Sequence, residues 1–131
     1  DFIASRAWAF NEMNKLFAQY TKYFILPKPQ VESRVNWLAY PLTIKKGAPF
    51  TRNDFVAFLE GKKIQTRPVF SGNITKHHAY KDVRYRVVGD LSRAQHILHH
   101  SLLLAAHHTL TPAMIKHIKD SVEEFIKSKE S

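Results

Sequence analysis

The 131 residues are 44% hydrophobic and 12% aromatic, apolar material for one packed core and not two. Lys and Arg number 20 against 11 Asp and Glu, and the resulting net charge of +9 favours anionic partners without naming one. The absence of cysteine excludes disulfides, thiolate nucleophiles, Cys-ligated zinc and any iron–sulfur cluster held by this chain.

No run approaches the roughly 18 apolar residues of a membrane span. The start, Asp1-Phe2-Ile3-Ala4-Ser5, lacks the basic region and cleavage site of a signal peptide, so the expectation is a cytoplasmic protein with no membrane partner. The chain opens without methionine and enters helical periodicity at once, which reads as a piece cut from something longer or as a trimmed chain.

Apolar residues at Ile3, Ala7, Phe10, Met13, Phe17, Tyr20 and Phe24 predict one long helix over residues 1–26, stopped by Pro27 and Pro29. The β-branched and aromatic stretch 35–44 predicts a strand, with Tyr40, Leu42 and Ile44 on one face and Pro41 at an edge or bulge. Thr51 with Asp54 forms a capping box for a short helix carrying Phe55, Phe58 and Leu59 and closed by Gly61.

Residues 64–70 alternate as a second strand that ends in the turn Ser71-Gly72-Asn73. Residues 74–84 read as polar loop, and Tyr85-Arg86-Val87-Val88 as a brief strand. Asp90 caps a helix carrying Leu91, Ala94, Ile97 and Leu98. The run 101–106 fits a helix end or a buried strand, and strand is the preferred reading. Thr111-Pro112 opens a last amphipathic helix bearing Ile115, Ile118, Val122, Phe125 and Ile126. Helices against a small antiparallel or mixed sheet make an α+β domain.

Few residue patterns carry chemistry. His96 shares a helical face with His99 and His100, a spacing suited to a metal, yet no carboxylate completes a ligand set and no metal site is assigned. Glycines 47, 61, 72 and 89 are scattered and build no phosphate loop. No serine sits in a nucleophile motif, and the carboxylates are dispersed. Basic residues are spread along the chain, which disfavours a nucleic-acid-binding domain.

The segment Ile64-Gln65-Thr66-Arg67-Pro68-Val69-Phe70-Ser71-Gly72-Asn73-Ile74-Thr75-Lys76, followed by Tyr85-Arg86-Val87-Val88-Gly89-Asp90-Leu91, resembles the C-terminal region of sugar-nucleotide 3-dehydratases. These are enzymes of the CDP-4-keto-6-deoxyglucose 3-dehydratase type, within the DegT/DnrJ/EryC1 aminotransferase group of lipopolysaccharide and deoxysugar biosynthesis. Leu26-Pro27, Trp37, Ala48-Pro49-Phe50-Thr51-Arg52 and Leu110-Thr111 follow in the matching order. Departures are His77-His78 where the group has Gln-Pro, and Leu38-Ala39-Tyr40 where it has Phe-Gly-Phe. Near the last strand, Leu104-Ala105-Ala106-His107-His108 replace an expected glycine, tyrosine and proline.

The resemblance implies the C-terminal small domain of a fold-type-I pyridoxal-phosphate enzyme, joined through its first helix to a large catalytic domain absent from this chain. Pyridoxamine phosphate and the catalytic groups would belong to that large domain, so this chain has no catalytic residue and binds no cofactor alone. The implied partners are the large domain, a nucleotide sugar, an iron–sulfur reductase and a second copy in a homo-oligomeric dimer. By the family pattern Arg67, Phe70 and Asn73 line the substrate, with Trp37 and Tyr40 near the cofactor edge; core packing of Phe70, Trp37 and Tyr40, and a structural ion pair for Arg67, are the competing readings. The other reading for the whole chain is a free-standing, self-associating binding module. A domain separated from its large partner is expected to expose apolar residues of the first helix or to hide them in a dimer.

Overall fold

A computed structural model describes residues 1–130. Asp1 caps the first helix, α1 (Phe2–Ala18), accepting the Ile3 N–H at 3.0 Å. The helix ends eight residues short of the expected Leu26. Tyr20 and Tyr23 close a turn, and Phe24–Ile25 become a strand, β1, with Phe24 opposite Ile44. An aromatic and a β-branched residue gain more from sheet pairing and burial than from another helical turn.

Ala39–Ile44 form β2 and Arg52–Gly61 form α2, whose capping box of Thr51 and Asp54 is present on both sides. Only Arg67–Pro68 of the expected second strand pairs, as β3. Asn73 opens the first of two 3₁₀ turns, Ile74–Lys76 and His78–Tyr80. Ser92–His100 is α3, Ser101–Ala105 is β4 and Pro112–Glu130 is α4.

The four strands form one antiparallel sheet in the order β1-β2-β4-β3. The α+β architecture thus stands, with two further local corrections. The expected strand 85–88 is irregular and exposed, its alternation meeting no partner strand. Pro41 lies in an interior strand, yet β1 reaches only Thr43 and Ile44, so no strand borders the proline on that side to call for its missing N–H.

Tyr40, Leu42, Ile44, Leu102 and Leu104 turn to the core face, where α1, α2 and α4 cover them. Phe50, Phe55 and Phe125 pack ring on ring beneath these helices, with centroids 5.0 to 6.1 Å apart. α3 crosses one end of the opposite face and is held from two sides. Arg52 Nη1 donates to the Leu98 carbonyl at 2.7 Å, and Gly72, at φ +57°, packs so near that an added Cβ would lie 2.6 Å from Leu98 Cα.

Candidate functional site

β3 covers only Leu102 and Leu103 of β4, which leaves the edge at Leu104 and Ala105 open. A groove of about 870 Å³ occupies this gap, between the sheet edge and the first turns of α4. Its walls are mainly apolar, with Leu38, Phe70, Leu103, Leu110 and Met114 prominent, and its polar groups are mostly basic or neutral: Lys63, Arg67, His107 and His117 line it and no carboxylate does. Such a groove suits a ligand with an apolar or ring-shaped part and a negative charge.

Local structure explains how the two charged walls are placed. Lys63, at φ +64°, reverses the chain after α2, and Ile64 N–H donates to the Leu59 carbonyl at 2.9 Å. The Glu60 carboxylate then accepts from Thr66 N–H at 2.6 Å and from its hydroxyl at 2.8 Å, pinning the residue before Arg67. These hydrogen bonds, chiefly the backbone one, hold the Glu60 carboxyl below its ordinary pKa, with a smaller contribution from Arg67. His117 Nε2 donates to the Lys62 carbonyl at 2.8 Å, fastening the same turn to α4.

Phe70 stands out. It adopts φ +44°, a left-handed conformation rare for an aromatic residue, and its side chain is 83% exposed at the groove. Its N–H donates to the Pro68 carbonyl at 2.9 Å, tightening the turn. Strain of this kind costs on the order of 1–3 kcal/mol and gathers at functional positions.

Of the five residues singled out in the sequence, Arg67 and Phe70 meet at this groove. Asn73 lies beneath the turn instead, buried, with Nδ2 donating to Gln95 Oε1 at 3.0 Å and Oδ1 accepting from Thr75 N–H and hydroxyl at 3.2 and 2.7 Å. Trp37 stacks on Phe10 at 4.6 Å beside a separate cleft under α1. Tyr40 is fully buried; its hydroxyl donates to Asn14 Oδ1 at 2.8 Å, and burial pushes the phenol well above its usual pKa. Leu38 and Met114 were missed. Their signal was exposure, which an apolar letter in a strand or helix does not reveal.

The groove does not fit a phosphopyridine cofactor. Its lining lacks a carboxylate to pair with a ring nitrogen. Among the described residues no group of three or more His, Asp or Glu is placed to hold a metal ion.

Residues 1–123 match the DegT/DnrJ/EryC1/StrS aminotransferase family. The chain belongs to this family. It is 34% identical over 102 residues to a dTDP-4-dehydro-2,6-dideoxy-D-glucose 3-dehydratase of Saccharopolyspora spinosa, a match covering 78% of this chain and 22% of that protein. It is 28% identical over 125 residues to the lipopolysaccharide biosynthesis protein RfbH of Salmonella typhimurium, covering 95% and 29%.

Among solved structures of the family's fold, an aminotransferase from Psychrobacter cryohalolentis superposes with a TM-score of 0.88 at 15% identity, over 100% of this chain and 36% of that one. The GDP-4-keto-6-deoxy-D-mannose-3-dehydratase of E. coli, with hydrated PLP bound, gives 0.80 at 21% identity, over 92% and 30%. These likenesses carry the fold, that of one portion of a PLP-dependent enzyme. The chain spans between 22 and 30% of the length of its curated family relatives. No described helix is long and apolar enough to cross a membrane.

Proposed function

We propose that this chain is the C-terminal small domain of a sugar-nucleotide 3-dehydratase, and that its groove forms a wall over the nucleotide sugar. The observation that carries the reading is the 34% identity, over 102 residues, to a protein named as a sugar-nucleotide 3-dehydratase. The groove's chemistry agrees with it. Arg67 pairs with diphosphate oxygens, for which a planar guanidinium is suited, and Phe70 packs on a ring of the ligand.

Pyridoxamine phosphate would supply the chemistry that lets the C3 hydroxyl leave a 4-keto sugar. Its site falls to the large domain, and none of the eight histidines here takes the role of base. Cytoplasmic location, dimerisation and an iron–sulfur reductase partner belong to the same reading.

The test is made on the full reading frame containing this chain. Supplied with pyridoxamine phosphate, a 4-keto-6-deoxy nucleotide sugar and a reduced iron–sulfur reductase as two-electron donor, the whole protein is expected to yield a product in which hydrogen replaces the C3 hydroxyl, which leaves as water, identified by mass spectrometry and NMR. A product aminated at C4 would make it an aminotransferase instead. In the whole protein Arg67→Gln is expected to raise KM by about 10-fold or more, the loss of a charge-assisted hydrogen bond, with a smaller change in kcat. An unchanged KM would remove Arg67 from the site.

A further inference from the structure

A second cavity, of about 670 Å³, lies at the other end of the sheet from the groove, between α3 and the paired strands β1 and β2. Thr43, Lys45, Lys46, Ser92, Arg93 and His96 supply its polar lining, and no carboxylate is among the lining residues. Three exposed cations and an imidazole thus line one concavity.

The arrangement is built rather than loose. Lys45 N–H donates to the Tyr23 carbonyl at 2.8 Å and Ala48 N–H to the Lys45 carbonyl at 3.3 Å, with Gly47 at φ +87° completing the turn that carries both lysines. Arg93 and His96, three residues apart, share one face of α3. His96 Nδ1 is buried with no hydrogen-bond partner.

Among the described residues Lys45, Lys46 and Arg93 enter no ion pair. Asp90 senses the charge of Arg93, but its carboxylate is taken by Ser92 N–H at 2.9 Å and it does not line the cavity. One turn on, His100 is held below the ordinary histidine pKa, first by burial and then by the charges of His96, His99, Lys46 and Arg52. Positive potential without a local counter-charge attracts an anion to this open concavity.

We propose that this cavity binds the phosphoryl group of a small phosphorylated ligand, with Lys45, Lys46 and Arg93 supplying charge and His96 a hydrogen-bonding nitrogen. The site is separate from the groove and does not depend on the dehydratase reading. Ile25 and Ile97 wall it, which favours a compact ligand over an extended polyanion.

Calorimetric titration of the 131-residue chain with inorganic pyrophosphate and with a nucleoside diphosphate, at low ionic strength, tests it. Saturable one-to-one binding is expected, weakened at least 10-fold by Arg93→Gln and by Lys46→Gln and unaltered by Lys28→Gln and Arg34→Gln. Circular dichroism checks that each variant stays folded. Amide NMR shifts are expected at residues 45–47 and 92–96. Equal affinity for both ligands would identify the phosphoryl group alone as the recognised feature, and tighter nucleoside diphosphate binding would add the nucleoside; both sustain the proposal. It is overturned by binding that survives Arg93→Gln, by shifts confined to residues 67–70, or by a glutamate-rich peptide binding as tightly as pyrophosphate.

Discussion

Phe70 sets a backbone in the left-handed region and an apolar ring in water at the same position, two unfavourable features that packing within this chain does not offset. Replacing it with glycine removes the steric cost of the left-handed region while adding freedom to the unfolded chain. Phe70→Gly is therefore expected to stabilise the chain by about 0.5–1 kcal/mol in urea unfolding, while in the whole protein it raises KM for the nucleotide sugar. Lower stability would mean that the ring is a packing residue. Two positions on, the sign reverses. Gly72→Ala drives a Cβ to within 2.6 Å of the α3 backbone at φ +57°, and a loss of about 2 kcal/mol or more is expected in the same assay. Arg67 and Phe70 were singled out by the family pattern, and both line the groove. The place of Asn73 was not legible: a polar turn residue reads as exposed, and what buries it is Gln95, 22 positions later on a helix that no local pattern brings near.

Elements whose signals are local formed as read. The capping box at Thr51 and Asp54, the Thr111 cap, in which the hydroxyl accepts from Met114 N–H, and the stripe of α4 all appear, since each is set within one or two helical turns. The elements that differ depend on distant partners. Residues 19–25 leave the helix because Ile44 and Thr43 offer a strand to pair with, and residues 85–88 stay irregular because nothing does. The capping box also has a pH signature. Hydrogen bonds from Thr51, first its N–H and then its hydroxyl, hold the Asp54 carboxyl below its ordinary pKa. A carboxyl depressed in the folded state contributes stability that is complete above the unfolded pKa, near 3.9, and is lost as pH falls through the folded value. The urea midpoint is thus expected to fall on acidification below about pH 4, with a shallower fall in Asp54→Asn. Parallel acid limbs in the two proteins would place the titrating groups elsewhere, Glu60 and Asp90 being lowered in the same direction.

At the scale of the molecule, apolar residues that reach solvent collect on a few surfaces. On α1, Phe2 is 67% and Ile3 50% exposed, and Trp8 is exposed beside them, although Phe2 makes a ring contact with His108 at 4.2 Å. Leu38 and Phe70 stand over the groove, and Val83, Tyr85, Val87 and Val88 form an exposed apolar row in the irregular segment. This is the pattern expected of a domain whose first helix packs on another body. Each large side chain covered on association contributes about 1.5–3 kcal/mol, against an association cost of roughly 4–15 kcal/mol, so association needs several of these residues covered together. The isolated chain is therefore expected to self-associate weakly and to bind a hydrophobic dye as it dilutes to monomer. Sedimentation velocity checks this, with Ile3→Ser and Trp8→Ser together expected to shift the chain towards monomer without loss of helical circular dichroism, because neither side chain belongs to the buried core. A wild-type chain that is monomeric throughout and binds no dye would show that the α1 face needs no cover, and would count against the proposed large domain as its natural partner.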